Sequence, residues 1–144
     1  MLRIATINDV EAIMSLENEC MPHPWVEADI RSLITDDKKT AVVDEEDGRL
    51  VGYVGASFVL DEAEIGNICV APSCRRQGRA SGLLRELFAT LSSMGIETVF
   101  LEVEEGNSGA VSLYEKEGFE KYSSRKDYYG QGRNALLYKI SMAK

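Results

Sequence analysis

From residue 10 onward the apolar positions Val10, Ile13, Met14 and Leu16 recur at helical spacing, the signature of a helix with one buried face. The preceding LRIATI reads as a strand, and Asn8 or Asp9 stands where a helix cap belongs. Pro22 and Pro24 end that helix within residues 20–25, because a proline ring removes a donor and clashes with the preceding turn. A second short helix is predicted over residues 27–34. The period then changes. TAVVD at 40–44 reads as a strand, the acidic stretch 45–49 contains the hairpin pair Asp47-Gly48, and the Val-, Tyr- and Gly-rich 50–60 reads as the returning strand. Another strand is predicted over 64–70. Helical spacing returns over 78–94, where Leu83, Leu84, Leu87, Phe88 and Leu91 share one face and Gly95 is placed to stop it. Residues 98–103 alternate as a strand, 109–117 form a short helix ending at Gly118, and 119–128 and 135–141 are two closing strands joined through Gly130 and Gly132. Early helices, a hairpin and then β-α-β-α-β-β predict an α/β (α+β) fold: a mainly antiparallel sheet with one parallel crossover. With no repeat or linker-like tract, one domain is expected over residues 1–144.

Composition narrows the classes of partner. The chain has 16 Lys and Arg against 24 Asp and Glu, a formal charge of −8. That balance argues against broad nucleic-acid binding, which needs cations to neutralise phosphates. No apolar run approaches the ~18 residues of a membrane helix, and no basic segment precedes an apolar core at the start. No membrane contact and no cleaved leader are therefore expected. The three cysteines, Cys20, Cys69 and Cys74, are odd in number and lack CxxC spacing, which fits neither a disulfide framework nor a zinc site. A reducing cytoplasm is the simplest compartment. The single His23 leaves no room for a histidine metal cluster, so no metal is expected.

The most informative stretch is IGNICVAPSCRRQGRASGLLREL. A strand ends at Val70, Pro72 interrupts pairing, and Arg75-Arg76-Gln77-Gly78-Arg79-Ala80 opens the long helix. Small residues at Gly78, Ala80, Ser81 and Gly82 let a ligand approach the main chain. The unpaired N–H groups and positive dipole end of a helix start form a phosphate cradle. Arg75, Arg76, Arg79 and Arg85 concentrate positive charge in an otherwise acidic chain. Neither GxxxxGK[ST] nor GxGxxG is present. On spacing alone, an arginine-rich solvated helix start remains the competing reading.

In VFLEVEEGNSGAVSLYEKEGF, Val99, Leu101 and Val103 take one face of the strand and Thr98, Phe100, Glu102 and Glu104 the other. Glu102 beside Phe100 is either a base at a core edge or a solvent-facing carboxylate. Tyr114, one turn after Ala110 on the next helix, is either a proton donor to a leaving thiolate or a core tyrosine.

The turn resembles the [Q/R]xxGx[G/A] signature of the GCN5-related N-acetyltransferases, with Arg75, Gly78 and Ala80 at its fixed positions. The resemblance extends over nearly the whole chain. It implies a mixed, mainly antiparallel seven-stranded sheet flanked by about four helices, with a β-α-β crossover carrying a turn that holds the pyrophosphate of acetyl-coenzyme A (acetyl-CoA). It implies cofactor contacts from Ile68, Cys69, Val70, Arg75, Arg76, Gln77, Gly78, Arg79, Ala80, Ser81 and Asn107. The block LEV…N…A…LYEK.GF is similar to that of the RimI-type branch, which acetylates the N-terminal alanine of a small-subunit ribosomal protein. This implies Glu102 as general base, Tyr114 as general acid, and an acceptor side at Trp25, Tyr128 and Tyr129. A protein N-terminus is then the implied partner, with no direct nucleic-acid contact, and a monomer or weak dimer is expected. Arg133-Asn134 stand where relatives usually carry an acidic pair, and Val26 replaces a common serine. Direct transfer in a ternary complex is expected, since no histidine neighbours Cys69 or Cys74. Two alternatives stay open: acetylation of a polyamine or aminoglycoside, and a non-catalytic CoA-binding module.

Overall fold

The computed structural model describes residues 1–142. In chain order, β1 (Leu2–Ile4) is followed by α1 (Val10–Cys20), α2 (Glu27–Thr35), β2 (Lys39–Glu46), β3 (Arg49–Val59), β4 (Glu62–Val70), α3 (Arg79–Ser93), β5 (Thr98–Glu104), α4 (Ser108–Lys116), β6 (Glu120–Gly130) and β7 (Arg133–Ser141). The strands form one sheet in the order β1-β2-β3-β4-β5-β7-β6. Every pairing is antiparallel except β4 with β5. This is the mainly antiparallel sheet with a single crossover that the pattern predicts, built around α3.

The opening strand is shorter than predicted. Thr6 and Asp9 tighten residues 7–9 into a 3₁₀ turn, in which the Thr6 N–H donates to Asp9 Oδ2 at 2.7 Å. Asp9 sits at the N-cap position of α1 but makes no side-chain cap bond. Its carboxylate instead accepts two bonds from the Arg3 guanidinium, at 2.8 and 2.9 Å. Asp47 and Gly48, with φ of 53° and 77°, form the tight turn between β2 and β3, as the primed hairpin geometry requires.

The two faces of the sheet are covered differently. Leu83, Leu84, Leu87 and Leu91 of α3 and Tyr114 of α4 pack on Val42, Val54, Val99, Leu101 and Val103. Val10, Ile13 and Leu16 of α1 and Ile30 and Leu33 of α2 pack on Val43, Tyr53 and Cys69. Because strand side chains alternate, Phe100, Glu102 and Glu104 lie on the α1–α2 face.

The feature that makes room for a site is a gap. β4 and β5 pair only through Glu62–Thr98, Ala63–Val99 and Glu64–Phe100. Beyond these pairs, neither strand has the other as partner. A bulge at Gly66, where the register steps from Ala56–Ile65 to Gly55–Asn67, falls at the point of divergence. Bulges bend and re-aim a strand in this way. Among the described residues, no helix is long and apolar enough to cross a membrane.

Candidate active site

A cavity of about 720 Å³ opens where the two strands part. One wall is the end of β4, at Ile68, Cys69 and Val70. The floor is the turn and first residues of α3, at Arg75, Arg76, Gly78, Arg79, Ala80 and Ser81. The far wall is α4 with its cap, including Asn107, Ala110, Leu113 and Tyr114. Thus ten of the eleven residues implied by the resemblance for the cofactor line one cavity, while Gln77 does not. The Gln77 amide oxygen accepts from Arg79 Nε at 3.1 Å.

The turn is shaped for an anion by its main chain. Arg76 and Gly78 both take left-handed conformations, with φ of 64° and 76°. Gly78 caps α3 without any side-chain bond, and the first bond of the helix is Gly82 N–H to the Gly78 carbonyl at 3.0 Å. The N–H groups of Arg79, Ala80 and Ser81 therefore lack helical partners. The small side chains of Ala80 and Ser81 leave the approach open, and the Arg79 side chain is drawn off to Asp44 and Glu46.

The arginine charges are divided. Arg79 Nη1 is 3.0 Å from Asp44, and its other nitrogen meets Glu46, so hydrogen bonding to Asp44 holds its pKa up. Arg85 pairs with Glu117 at 3.1 Å. Arg75 Nε donates to the Val70 carbonyl at 3.1 Å. Of the cluster read as a cationic patch, Arg75 and Arg76 make no ion pair among the described residues. Lys116, which the sequence reading passed over, adds a cation to the α4 wall. Cys20 and Met21, at the end of α1, also line the cavity. They lie about fifty residues before the turn, and no local signal marks them.

Tyr114 is buried with its ring against Phe119, the centroids 5.7 Å apart. Its hydroxyl makes no hydrogen bond to another described residue and borders the cavity. Burial pushes the phenol pKa up to about 12, with Tyr129 and Cys69 contributing. The group is therefore fully protonated near neutral pH. Asn107 caps α4 by accepting from the Ala110 N–H at 3.2 Å, which leaves its amide NH₂ free of that bond.

Glu102 stands on the opposite face of the gap and does not line the 720 Å³ cavity. Its side chain is one quarter exposed and lies 3.6 Å from Arg125 Nη1. Arg125 in turn stacks over the Tyr128 ring at 5.3 Å, and Tyr128 meets Tyr129 edge-on at 5.1 Å. The Glu102 carboxylate beside the Tyr128 hydroxyl raises that phenol. Tyr129 is raised by burial and then by Glu102.

These tyrosines sit on a local excursion of β6. Between Arg125–Ala135 and Gly130–Arg133, β6 spends four residues where β7 spends one. Asp127, at φ 57°, donates its N–H to Asn134 Oδ1 at 2.9 Å and accepts the Gly132 N–H at 2.7 Å. Arg133 grips Glu104 at 2.7 and 2.9 Å, which lowers the Glu104 pKa. Arg133 and Asn134 therefore brace this excursion.

Trp25 lies on the α1–α2 face and lines a separate cavity of about 240 Å³ with Asp29, Lys39, Ser57 and Gly66. Its ring covers Gly66 so closely that a Cβ there would come within 2.6 Å of it.

A mixed sheet split between β4 and β5, with a helix start opening on the split, is the scaffold of an acyltransferase. Residues 10–119 match the acetyltransferase (GNAT) family, and the chain belongs to that family: it is an N-acetyltransferase. It is 32% identical over 121 residues to the ribosomal protein bS18-alanine N-acetyltransferase of Escherichia coli K12, covering 84% of this chain and 81% of that one. It is likewise 32% identical over 132 residues to the enzyme of that name from Salmonella typhimurium, covering 89% and 86%. The crystal structure of the ribosomal-protein-S18-alanine N-acetyltransferase from Escherichia coli superposes with a TM-score of 0.89 at 28% identity, covering 100% of this chain and 96% of that one.

Proposed function

We propose that this chain transfers acetyl from acetyl-CoA to the α-amine of a protein N-terminus, with the N-terminal alanine of a ribosomal protein as its acceptor. The observation that carries the reading is the cavity itself: the unpaired amides of α3 and the Tyr114 hydroxyl border one space, and Glu102 with Tyr128 and Tyr129 stands across the strand gap. The acceptor identity rests on the relatives named above.

The residues fit a phosphorylated acyl carrier. The N–H groups of Arg79, Ala80 and Ser81, with Arg75 and Arg76, would hold a pyrophosphate, and Asn107 and Lys116 would contact the carrier from α4. Acetyl-CoA supplies an activated thioester. An α-amine of pKa ~7.7–8.0 is partly protonated at neutral pH, and Glu102 removes that proton directly or through one water. Main-chain N–H groups on the unpaired edge of β4 stabilise charge building on the carbonyl oxygen. Tyr114, its pKa raised to about 12, keeps its proton to give to the departing sulfur. Tyr128 and Tyr129 wall the acceptor side.

The test is steady-state release of free CoA with a peptide beginning in Ala, a peptide presenting only a Lys side-chain amine, and spermidine. Turnover confined to the first supports the reading. Preference for spermidine makes the enzyme a small-amine acetyltransferase. Tight acetyl-CoA binding without turnover on any amine makes it a binding module.

A further inference from the structure

A fully buried carboxylate that accepts four hydrogen bonds takes no part in the chemistry above. Glu17, on α1, is 0% exposed. Its Oε1 accepts the main-chain N–H of Trp25 at 2.9 Å. Its Oε2 accepts from the Tyr53 hydroxyl, from Asn67 Nδ2 at 2.9 Å and from the Cys69 thiol at 3.4 Å. A carboxylate buried from water is unfavourable unless such bonds replace its hydration. Burial and this carboxylate push the Tyr53 and Cys69 pKa values up, so both groups are donors throughout the physiological range.

The placement of the donors matters more than their number. Tyr53 lies on β3. Asn67 and Cys69 lie on the part of β4 that has left β5, the strand that forms one wall of the carrier cavity. Trp25 lies on the connection between α1 and α2, and its ring rests on the Gly66 bulge where the gap begins. One carboxylate therefore ties the loop on the acceptor face to the diverging strand on the carrier side.

We propose that Glu17 is a positioning residue: it sets the Trp25 loop against the diverging end of β4 and so aligns the acceptor with the acyl carrier. This rests on the acceptor reading given above. Trp25 is the sole tryptophan of the chain, so its fluorescence reports the loop without any need for activity.

The experiment compares wild type, Glu17→Gln and the double variant Glu17→Gln/Asn67→Asp, each checked for native secondary structure by circular dichroism. The glutamine places an NH₂ group against donors, while the second substitution, Asn67→Asp, returns a carboxylate to the same cluster. In Glu17→Gln, Trp25 emission shifts to the red and becomes more accessible to acrylamide. The KM for an Ala-starting peptide rises about tenfold or more, as expected of a misplaced reacting group, while the dissociation constant of acetyl-CoA stays within about twofold. The double variant recovers both signals. Unchanged Trp25 emission with unchanged peptide KM overturns the proposal. So does a parallel loss of acetyl-CoA affinity, which marks a general structural role. If Glu17→Gln does not fold, Tyr53→Phe removes one donor, keeps the ring and is read by the same signals. If wild type turns over no α-amine, the functional reading fails, and the Trp25 signal alone decides whether Glu17 holds the loop.

Discussion

At the scale of single residues, the two proposed proton carriers differ in surroundings as their tasks require. Tyr114 is buried and held neutral, whereas Glu102 is partly solvated beside Arg125. Replacing Glu102 with Gln is expected to lower kcat/KM by about 100-fold or more. The loss is largest at low pH, where the amine carries its proton, and shrinks above the amine pKa. A pH–rate profile of unchanged shape removes Glu102 from the base role. Tyr114→Phe is expected to lower kcat and leave acetyl-CoA affinity nearly intact, as read by single-turnover rates and calorimetry. Because burial raises the Tyr114 pKa to about 12, the wild-type rate should not fall on the alkaline side as an ordinary tyrosine near 10 begins to ionise. Spacing alone left each candidate beside a structural alternative, and the family resemblance supplied the two roles. Their environments were not legible in the sequence, since Phe119, Arg125 and Tyr129 reach them only through the fold.

At the scale of elements, the turn before α3 and the excursion of β6 each depend on a left-handed backbone. Gly78, at φ 76°, has nothing within 4 Å of where a Cβ would stand. Gly78→Ala therefore meets no steric clash, only backbone strain, of about 1–2 kcal/mol. A lower Tm together with weaker acetyl-CoA binding is the expected outcome; unchanged binding would separate the turn from the carrier. Asn134→Ala removes the acceptor of the Asp127 N–H and loosens the segment bearing Tyr128 and Tyr129. It should raise peptide KM several-fold and leave acetyl-CoA affinity alone. The helix start announced itself because glycine, small residues and arginines adjoin in sequence. The brace on β6 did not, because Asn134 acts on a residue across a hairpin whose register slips by three.

At the scale of the whole molecule, stability should fall at both ends of the pH range. The Arg3 guanidinium bonded to Asp9 lowers that carboxyl below its usual value of 3.8. A depressed folded pKa contributes stability present above the unfolded value and lost as pH falls through the folded one. Tyr114 and Tyr53 are raised, so their contribution is present below about pH 10 and is lost as pH rises towards and past 12. Urea midpoints measured across pH should show both declines, and Arg3→Gln should flatten the acid one.

The elements, their order and the helix start that opens on the cavity were all readable from the chain alone. They depend on side-chain period, turn residues and caps, each set by neighbours along the backbone. Folding in three dimensions was needed to part β4 and β5 after Glu64 and Phe100, to neutralise Arg79 with Asp44 and Glu46, and to enclose Glu17 among Trp25, Tyr53, Asn67 and Cys69. The reason is separation along the chain. A strand gap, an ion pair across 35 residues and a carboxylate satisfied from three other segments exist only once the sheet has brought those segments together.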